Sequence, residues 1–381
     1  MQFYKNKNFF KNSTKSLQKR TFFIITSEFL PGPGGIGSHA YNLSKYLYKN
    51  DIDVTVIAPK NNKGNQAQFD KKERFKIFRY SGFKFFKIFN IIKLFFKEYL
   101  RSNNSTVICT GQLPFIVFGL LSKLVHIKSI LIFHGHENSM GNFFIRYISN
   151  YILNQYDQVI AVSDFSGSLL KDKIIENKLE IIYNGVDIKR FGKFKKISKI
   201  RKNKNLRLLT LGSLSKRKGQ HNVIKALPEI KKSFENVSYH MVGPDNIKLE
   251  LTELAESLNV IDSIHFYGYL EDYELSNLFQ ECDIFLMLSE NLPNGDIEGF
   301  GIAILEANYF GLPAIGSKGC GIENAINNMK TGVLIDNHNP IDCRRAIVQI
   351  MNDYQNFRYA SKNWANAHDW DKTIKEYIKI I

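Results

Sequence analysis

Short apolar runs alternate with helical patterns along most of this chain. TFFIIT, VTVIA, TVICT and QVIAVS read as a first series of strands, and LRLLTLG, SYHMVG, IHFYG, DIFLMLS and PAIGS read as a second. Apolar runs of this length, separated by amphipathic helices, are typical of parallel sheets built from strand-helix-strand units. The sequence therefore predicts an α/β fold.

A basic segment separates the two series of strands. Residues 191–204 are rich in lysine and poor in strand or helix signals, which is typical of a linker. The chain of 381 residues also exceeds what one hydrophobic core usually organises. We therefore predict two Rossmann-like, doubly wound domains over 20–190 and 205–363. Ligands of such sheets bind beyond the carboxyl ends of the strands, so two domains facing each other would share a cleft.

The charge balance limits the kinds of partner. A net charge of +16 attracts polyanions, whether nucleic acid, an anionic membrane surface or a phosphorylated small molecule. Clustered base-stacking aromatics and a reading helix are not evident, so nucleic acid is not favoured. Residues 1–19 are basic, contain no acid and are not followed by a signal-type apolar region, so we predict a disordered basic arm. The four cysteines form no C-x-x-C pair, which fits a reducing cytoplasm.

A glycine-rich loop, PGPGGIGSHAYNLSKYL, follows the first strand. Glycines there, including Gly35, let the backbone approach an anion, and the helix that begins near Gly37 offers unpaired N–H groups at its positive end. Phosphate binding is the functional interpretation, and a tight turn is the structural alternative. The dinucleotide pattern G-x-G-x-x-G is not met, because Ala40 stands where its last glycine belongs.

A basic turn follows the first strand of the second series. LGSLSKRKGQHNVIKAL brings Arg217 and Lys218 together where a helix starts, and both side chains suit a diphosphate. A solvated basic turn is the alternative. Its place in the second domain matches that of the glycine loop in the first, which favours the functional interpretation.

Two histidines follow the strand SILIF. His134 and His136 in FHGHENSMG lie at a strand end that would face the cleft. No third ligand has a helpful spacing, so a metal site is not favoured. A hydrogen bond to a substrate hydroxyl or a developing charge is the better hypothesis, beside a purely structural role.

Two acids bracket an apolar run in GDIEGFGIAILEANYFGLP. If a helix begins near Gly301, Glu298 lies in the loop before it and Glu306 lies two turns inside. A carboxylate in such a position is costly to bury unless it meets a donor, which ligand hydroxyls would supply, or, as the structural alternative, a neighbouring lysine or a backbone N–H. The helix start at Phe300 and Gly301 offers a third phosphate contact.

Residues 81–102 interleave lysines with phenylalanines and isoleucines. This pattern suits a helix on an anionic membrane surface. An ordinary amphipathic helix packed on the first sheet is the alternative, and the two are compatible.

Taken in order, these motifs resemble the family 4 retaining glycosyltransferases of the GT-B fold. The resemblance runs through P-G-G-x-x-S-H, H-G, N-G-V-D, K-G, F-x-G, C-D-I-F, E-x7-E and T-G-V-L-I-D, and covers nearly all of the chain after residue 20. FHGHE and GDIEGFGIAILEA look most like bacterial mannosyltransferases that act on phosphatidylinositol lipids and cell-surface polysaccharides. The resemblance implies a cytoplasmic hexosyltransferase that is peripheral on the inner face of the membrane. It further implies a GDP- or UDP-sugar as the donor, a glycan or glycolipid as the acceptor, and no requirement for a metal.

The resemblance also implies roles for the residues of these motifs. The N–H of Gly35 would contact the donor diphosphate, which Lys218 would neutralise. Glu306 would bind the ribose hydroxyls, while Glu298 and the backbone at Phe300 and Gly301 would hold the transferred sugar. His134 would contact the sugar near its reacting carbon. These roles stabilise a departing nucleoside diphosphate, so no dedicated nucleophile is needed.

Two positions depart from the family pattern. Ser213 stands where many members have arginine, and Arg217 is predicted to replace that contact. Asn324 stands where an acid is expected downstream of Gly321. The C-terminal residues 364–381 fit the family's last helix, which returns to the first domain. A nucleotide-sugar epimerase of the same fold, and a glycoside hydrolase using Glu298 and Glu306, are the alternative functions.

Overall fold

The computed structural model describes residues 20–192 and 205–381, apart from residues 33, 62–64, 84, 103, 136 and 138–142 and the side chains of 143–146 and 176. The predicted basic arm, 1–19, and residues 193–204 of the predicted linker lie outside the described residues, as does His136. Two compact units are present, Met1–Asn184 with Trp370–Ile381, and Gly185–Asp369.

The first unit is a parallel sheet with helices on its faces. Its strands are β1 (Thr21–Thr26), β2 (Asp53–Pro59), β3 (Lys76–Tyr80), β4 (Ser105–Thr110), β5 (Lys128–Phe133), β6 (Gln158–Ala161) and β7 (Leu179–Ile181). Its helices are α1 (Gly35–Lys49), α2 (Gln66–Lys72), α3 (Phe85–Tyr99), α4 (Gln112–Leu124), α5 (Phe143–Gln155) and α6 (Asp164–Ser168). The strand order is β3-β2-β1-β4-β5-β6-β7, so the direction of strand addition reverses between β1 and β4.

The second unit repeats this architecture. Its strands are β8 (Asn205–Leu211), β9 (Asn236–Val242), β10 (Ile264–Phe266), β11 (Ile284–Met287), β12 (Ala314–Ser317) and β13 (Gly332–Ile335). Its helices are α7 (Ile188–Gly192), α8 (Gln220–Lys231), α9 (Lys248–Ser257), α10 (Asp272–Glu281), α11 (Ile302–Phe310), α12 (Pro340–Asn352) and α13 (Tyr354–Ala367). The order β10-β9-β8-β11-β12-β13 reverses between β8 and β11, and all recorded pairs are parallel.

The central strands of each sheet are buried on both faces, as their apolar sequences require. In the first unit Phe23 and Val107 are buried against Phe95 and Phe118 from the covering helices. In the second, the strands pack against α8 and α12 through another apolar core. The predicted α/β fold with two Rossmann-like domains is confirmed. Doubly wound sheets bind ligands where the strand order reverses, which is beyond β1 and β4 in one unit and beyond β8 and β11 in the other.

The C-terminal segment consists of two elements, not the single helix predicted over 364–381. α13 packs on α11 in the second unit, and the chain turns extended at Asp369, which bridges to Val186. α14 (Trp370–Ile380) then packs in the first unit, where the hydroxyl of Tyr377 lies 2.8 Å from Nε2 of His39. Residues 185–190 and 364–369, predicted with the first domain, therefore cluster with the second unit.

Candidate active site

A tight turn after β8 positions the basic residues of the second unit. Gly219 ends a 3-10 turn, Lys216–Lys218, with a φ of 71°. A Cβ at this glycine would lie 1.7 Å from the carbonyl oxygen of Leu288, just beyond β11, so no larger residue fits. The side chain of Lys218 packs over Gly212, because a Cβ at Gly212 would lie only 3.0 Å from Cε of Lys218. The turn is thus fixed where the strand order of this sheet reverses.

Two cations converge on one carboxylate in this position. Oε2 of Glu298 accepts a hydrogen bond from Nη1 of Arg217 and lies 2.8 Å from Nζ of Lys218. The Glu298 and Lys218 side chains are only 11% and 12% exposed, so the pair is largely shielded from water. Nε of Arg217 also lies 3.0 Å from Oδ1 of the half-exposed Asp296. Arg217 and Lys218 of the predicted basic turn therefore share one charge cluster with Glu298, which was predicted as part of a separate motif.

The cluster keeps Glu298 ionised. Burial by itself raises the pKa of its carboxyl, but Lys218 and Arg217 outweigh burial and hold that pKa below its usual value. Burial likewise opposes the charge of Arg217, yet Glu298 and Asp296 raise its pKa. A place where two cations surround an anionic oxygen is chemically suited to a phosphate group.

The loop that carries Glu298 leads into α11. Gly301 caps this helix with a φ of 86°, and Phe300 beside it is buried. The N–H of Gly321 donates to the carbonyl oxygen of Glu298 at 3.0 Å, which fixes the loop against the next segment. The first N–H groups of a helix have no partner within the helix, so α11 presents donors beside this loop.

Glu306 lies nearer the helix start than predicted. It is the fifth residue of α11, a little over one turn in, rather than two turns inside. Its Oε1 accepts from Nη1 of Arg190 at 3.1 Å, and its side chain is 13% exposed. Burial raises the pKa of Glu306, and Arg190 is the strongest influence in the opposite direction. The sequence predicts ligand hydroxyls, a neighbouring lysine or a backbone N–H as the partner of this acid, and the ion-pair partner in the structure is an arginine, Arg190.

The first unit holds the remaining predicted residues. α1 begins at Gly35, two residues before the predicted start. A Cβ at Gly35 would meet nothing within 4 Å, whereas one at Gly37 would lie 3.0 Å from the backbone nitrogen of Phe29. Packing therefore requires glycine at position 37, whereas packing would allow a larger residue at position 35.

His134 follows β5 and is held by neighbours on both sides. Its Nε2 lies 2.9 Å from Oγ1 of Thr110, at the carboxyl end of β4, and the ring is 7% exposed. The carboxylate of Glu137, which is fully buried, accepts hydrogen bonds from the backbone N–H groups of His134 and Gly135. The ring of His39 packs edge-on against that of His134. Sequence reasoning missed Glu137, whose only signal was its position in FHGHE.

The helix α3 has two faces. Ile91 and Phe95 are buried in the core of the first unit, as an ordinary amphipathic helix requires. At the other face, the first turns of the helix expose Phe85, Phe86 and Phe89, and Phe83 is exposed just before the helix; these phenylalanines are 63% to 82% exposed. Lys87, Lys93 and Lys97 of the same helix are also exposed. None of the helices in the described part of the chain is long and apolar enough to cross a bilayer.

Comparison with known proteins decides the family. A model described as Glycosyltransferase Family 4 matches residues 33–190, and one described as Glycosyl transferases group 1 matches residues 192–367. The chain belongs to the family 4 glycosyltransferases. It is accordingly an enzyme of the GT-B type.

Similar proteins match more than nine-tenths of the chain. An uncharacterized glycosyltransferase of Methanocaldococcus jannaschii is 24% identical over 96% of this chain and 98% of its own length. The GDP-mannose-dependent alpha-(1-6)-phosphatidylinositol monomannoside mannosyltransferase of Mycobacterium tuberculosis is 25% identical over 91% of this chain and 94% of its own. Anabaena HepE, solved with UDP-glucose, superposes with a TM-score of 0.74 at 18% identity, covering 94% of this chain and 98% of that one.

The structure also shows what occupies the two positions that depart from the family pattern. Ser213 is engaged through its carbonyl oxygen, which accepts from Nε2 of Gln220 at 3.1 Å, and it brings no charge to this glycosyltransferase. Arg217 lies instead beside Lys218 in the cluster around Glu298. Asn324 lies in a 3-10 turn, Gly321–Ala325, next to Glu323, whose carboxylate accepts a hydrogen bond from the N–H of Gly319.

Proposed function

We propose that this enzyme is a retaining glycosyltransferase that moves a hexose from a nucleoside-diphosphate sugar to a lipid-linked or polysaccharide acceptor. Its place would be the synthesis of a cell-envelope glycan such as lipopolysaccharide, capsule or a glycolipid. The observation that carries the proposal is the convergence of Lys218 and Arg217 on the buried carboxylate of Glu298, beyond β8 and β11. Cations in such a place are suited to a diphosphate that leaves with growing negative charge.

The reaction that we propose depends on stabilising that leaving group. Lys218, Arg217, the N–H groups at the start of α11 and the N–H of Gly35 would receive the diphosphate. The acceptor hydroxyl would attack the sugar from the face that the diphosphate leaves, so no enzyme nucleophile takes part. Fixed cations and helix termini would supply the electrostatic stabilisation, so we expect full activity in the presence of a metal chelator.

The remaining residues would hold the two ends of the donor. Glu306 would accept from the ribose hydroxyls. Glu298, with the backbone at Phe300 and Gly301, would hold the transferred sugar. His134, oriented by Thr110 at 2.9 Å, would contact the sugar near its reacting carbon.

Both GDP- and UDP-sugars are candidates for the donor. The mycobacterial relative is GDP-mannose-dependent by name, and HepE was solved with UDP-glucose. Thermal unfolding with UDP, GDP and ADP, followed by the matching sugars, would identify the base and then the sugar. A stabilising shift with one diphosphate is expected, because a ligand that binds only the folded state raises the unfolding temperature.

The turnover assay separates the proposed reaction from its alternatives. Release of nucleoside diphosphate that depends on an added glycan or glycolipid acceptor is expected. Isomerised nucleotide sugar without an acceptor would indicate an epimerase, and cleavage of a neutral oligosaccharide would indicate a hydrolase. The absence of any shift with all three diphosphates would refute the donor hypothesis.

We further propose that α3 binds an anionic membrane, which places the enzyme at the inner face of the cell membrane. The exposed phenylalanines at its start would enter the interface, and Lys87, Lys93 and Lys97 would face anionic headgroups. This arrangement would bring the enzyme to a lipid-linked acceptor.

Vesicle binding tests the membrane proposal. Each phenylalanine that leaves water contributes about 1.5–3 kcal/mol, so a Phe85→Ser, Phe86→Ser, Phe89→Ser variant should lose at least about tenfold in binding to phosphatidylglycerol vesicles. A Leu249→Ser, Tyr359→Ser variant, which removes exposed apolar residues of the second unit, is the matched control. Equal binding by wild type and the phenylalanine variant, or no binding by either, would contradict the proposal.

A further inference from the structure

Arg190 is a charged residue near the donor site to which the sequence assigned no role. It lies on the short helix α7, 116 residues before Glu306 in the chain. We propose that Arg190 is a positioning residue that aims the carboxylate of Glu306 at the ribose of the donor. This inference rests on the proposed function, because it concerns how the same site recognises its nucleotide.

The guanidinium is held from two directions. Its Nε and Nη2 lie 2.7 and 2.5 Å from Oδ1 of Asp272, the first residue of α10. Its Nη1 donates to Oε1 of Glu306 at 3.1 Å. A planar fork can serve two carboxylates at once, whereas an ammonium is a point charge. Asp272 therefore fixes the orientation in which Arg190 meets Glu306.

Aromatic packing anchors the same three elements. Phe191, next to Arg190, is fully buried and contacts Phe279 of α10 and Phe310 of α11, with ring centroids 6.1 and 5.5 Å away. The backbone that carries Arg190 is thus packed on both helices that carry its carboxylates. The ion pairs sit on a rigid base, as a positioning contact requires.

The contact leaves part of Glu306 available to a ligand. Arg190 engages Oε1, and within the described ranges no hydrogen bond or ion pair of Oε2 is recorded. A carboxylate accepts at both oxygens, so one can be anchored while the other accepts from a sugar hydroxyl. Without the anchor, the side chain would regain rotamer freedom that ribose binding must then remove.

Charge adds a second effect. The charged groups that influence Glu306 are Arg190, Asp272, Lys218 and Asp187, and the acids among them raise its pKa while the cations lower it. Burial already raises this pKa, so the loss of Arg190 would raise it further. A larger fraction of Glu306 would then be protonated at a given pH, and a protonated carboxyl is the weaker acceptor.

The test compares nucleoside diphosphates with and without the 2′-hydroxyl. Dissociation constants of the preferred diphosphate and its 2′-deoxy form are measured by calorimetry between pH 5 and pH 8. Wild type should prefer the ribonucleotide, and Glu306→Ala should remove the preference. Arg190→Gln should reduce the preference for the ribonucleotide roughly tenfold, which is the scale of one charge-assisted contact. The pH at which this preference is lost should also be higher in Arg190→Gln than in wild type. Arg190→Lys keeps the charge and should restore the pH midpoint but only part of the preference.

Arg207→Gln is the matched control. Arg207 forms a similar partly exposed pair with Glu281 at 3.0 Å elsewhere in the second unit, so its loss should leave the preference unchanged. Thermal unfolding of each variant checks that it is folded. The proposal is overturned if wild type binds the diphosphate without preferring ribose, or if Arg190→Gln keeps the wild-type ratio and pH profile. Failure of wild type to bind any nucleoside diphosphate would instead refute the proposed function.

Discussion

Replacing Glu298 with glutamine should strengthen the binding of a nucleoside diphosphate while it reduces turnover. The carboxylate of Glu298 neutralises Lys218 and Arg217, the cations that we assign to the diphosphate. An incoming diphosphate must therefore displace this carboxylate or share its cations. Glutamine keeps the size of the side chain and removes the competing charge, but it is a poorer clamp for the sugar hydroxyls.

The magnitude follows from the geometry of the cluster. Unit charges 2.8 Å apart, as for Nζ of Lys218 and Oε2 of Glu298, attract by about 6 kcal/mol at an effective dielectric constant of about 20. The diphosphate restores most of this attraction, so the net cost of displacement is closer to that of one charge-assisted hydrogen bond, about 1.5–3 kcal/mol. Glu298→Gln should therefore tighten binding of the diphosphate alone by at least about tenfold at low salt.

Titration calorimetry with the preferred diphosphate measures this gain. Asp296→Asn is the control, because Asp296 pairs with the same Arg217 but is half exposed and should matter little. The unliganded Glu298→Gln variant should also melt at a lower temperature, since two shielded cations lose their partner, and the diphosphate should raise its melting point more than that of wild type. Equal or weaker binding by Glu298→Gln would refute the competition between carboxylate and ligand.

Three further predictions address single residues. Glu306→Ala should weaken binding of the nucleoside diphosphate by roughly tenfold in calorimetry, whether or not a sugar is attached, and unchanged affinity would contradict a contact with ribose. Gly35→Ala should melt like wild type, because a Cβ there meets nothing within 4 Å, yet it should lose affinity for the diphosphate. Gly37→Ala should lower the melting temperature instead, because a Cβ there lies 3.0 Å from the backbone nitrogen of Phe29. Normal affinity of Gly35→Ala would argue against a backbone contact to phosphate. Burial lowers the pKa of His39 from 6.5 to about 3. Between these pH values only the unfolded chain takes up the proton on this histidine. The free energy of unfolding that depends on a neutral His39 is therefore full above pH 6.5 and falls as the pH drops towards 3. His39→Gln should therefore show a smaller drop in urea midpoint from pH 7 to pH 5 than wild type, and an equal drop would contradict this assignment.

Local sequence patterns were sufficient to predict the fold. Strands such as TFFIIT and SILIF are nearly continuous apolar runs because both faces of a parallel sheet are covered, and this signal needs no tertiary information. The loops that follow these strands could also be predicted from local sequence, because glycines and basic residues between a strand and a helix mark the carboxyl edge of a parallel sheet. Boundaries were less well predicted, as the start of α1 and the division of 364–381 show.

The charge partners could not be predicted from the same patterns. Arg217 and Glu298 are 81 residues apart in the chain, and Arg190 and Glu306 are 116 residues apart. Such pairs depend on which strand ends the topology brings together, and a single sequence gives no record of that. Glu137 was missed for a different reason, because its role is to accept from the backbone of the loop that carries it.

The return of α14 to the first unit limits how this enzyme can be divided. Trp370, Tyr377 and Ile378 are buried there, and Trp370 stacks on Tyr46 of α1. A fragment that stops at Asn184 would leave this apolar surface of α1 bare and prone to self-association. A separately produced first domain would need residues 370–381 attached or supplied as a peptide, whereas the second domain, Gly185–Asp369, is continuous and can be tested alone for nucleotide binding.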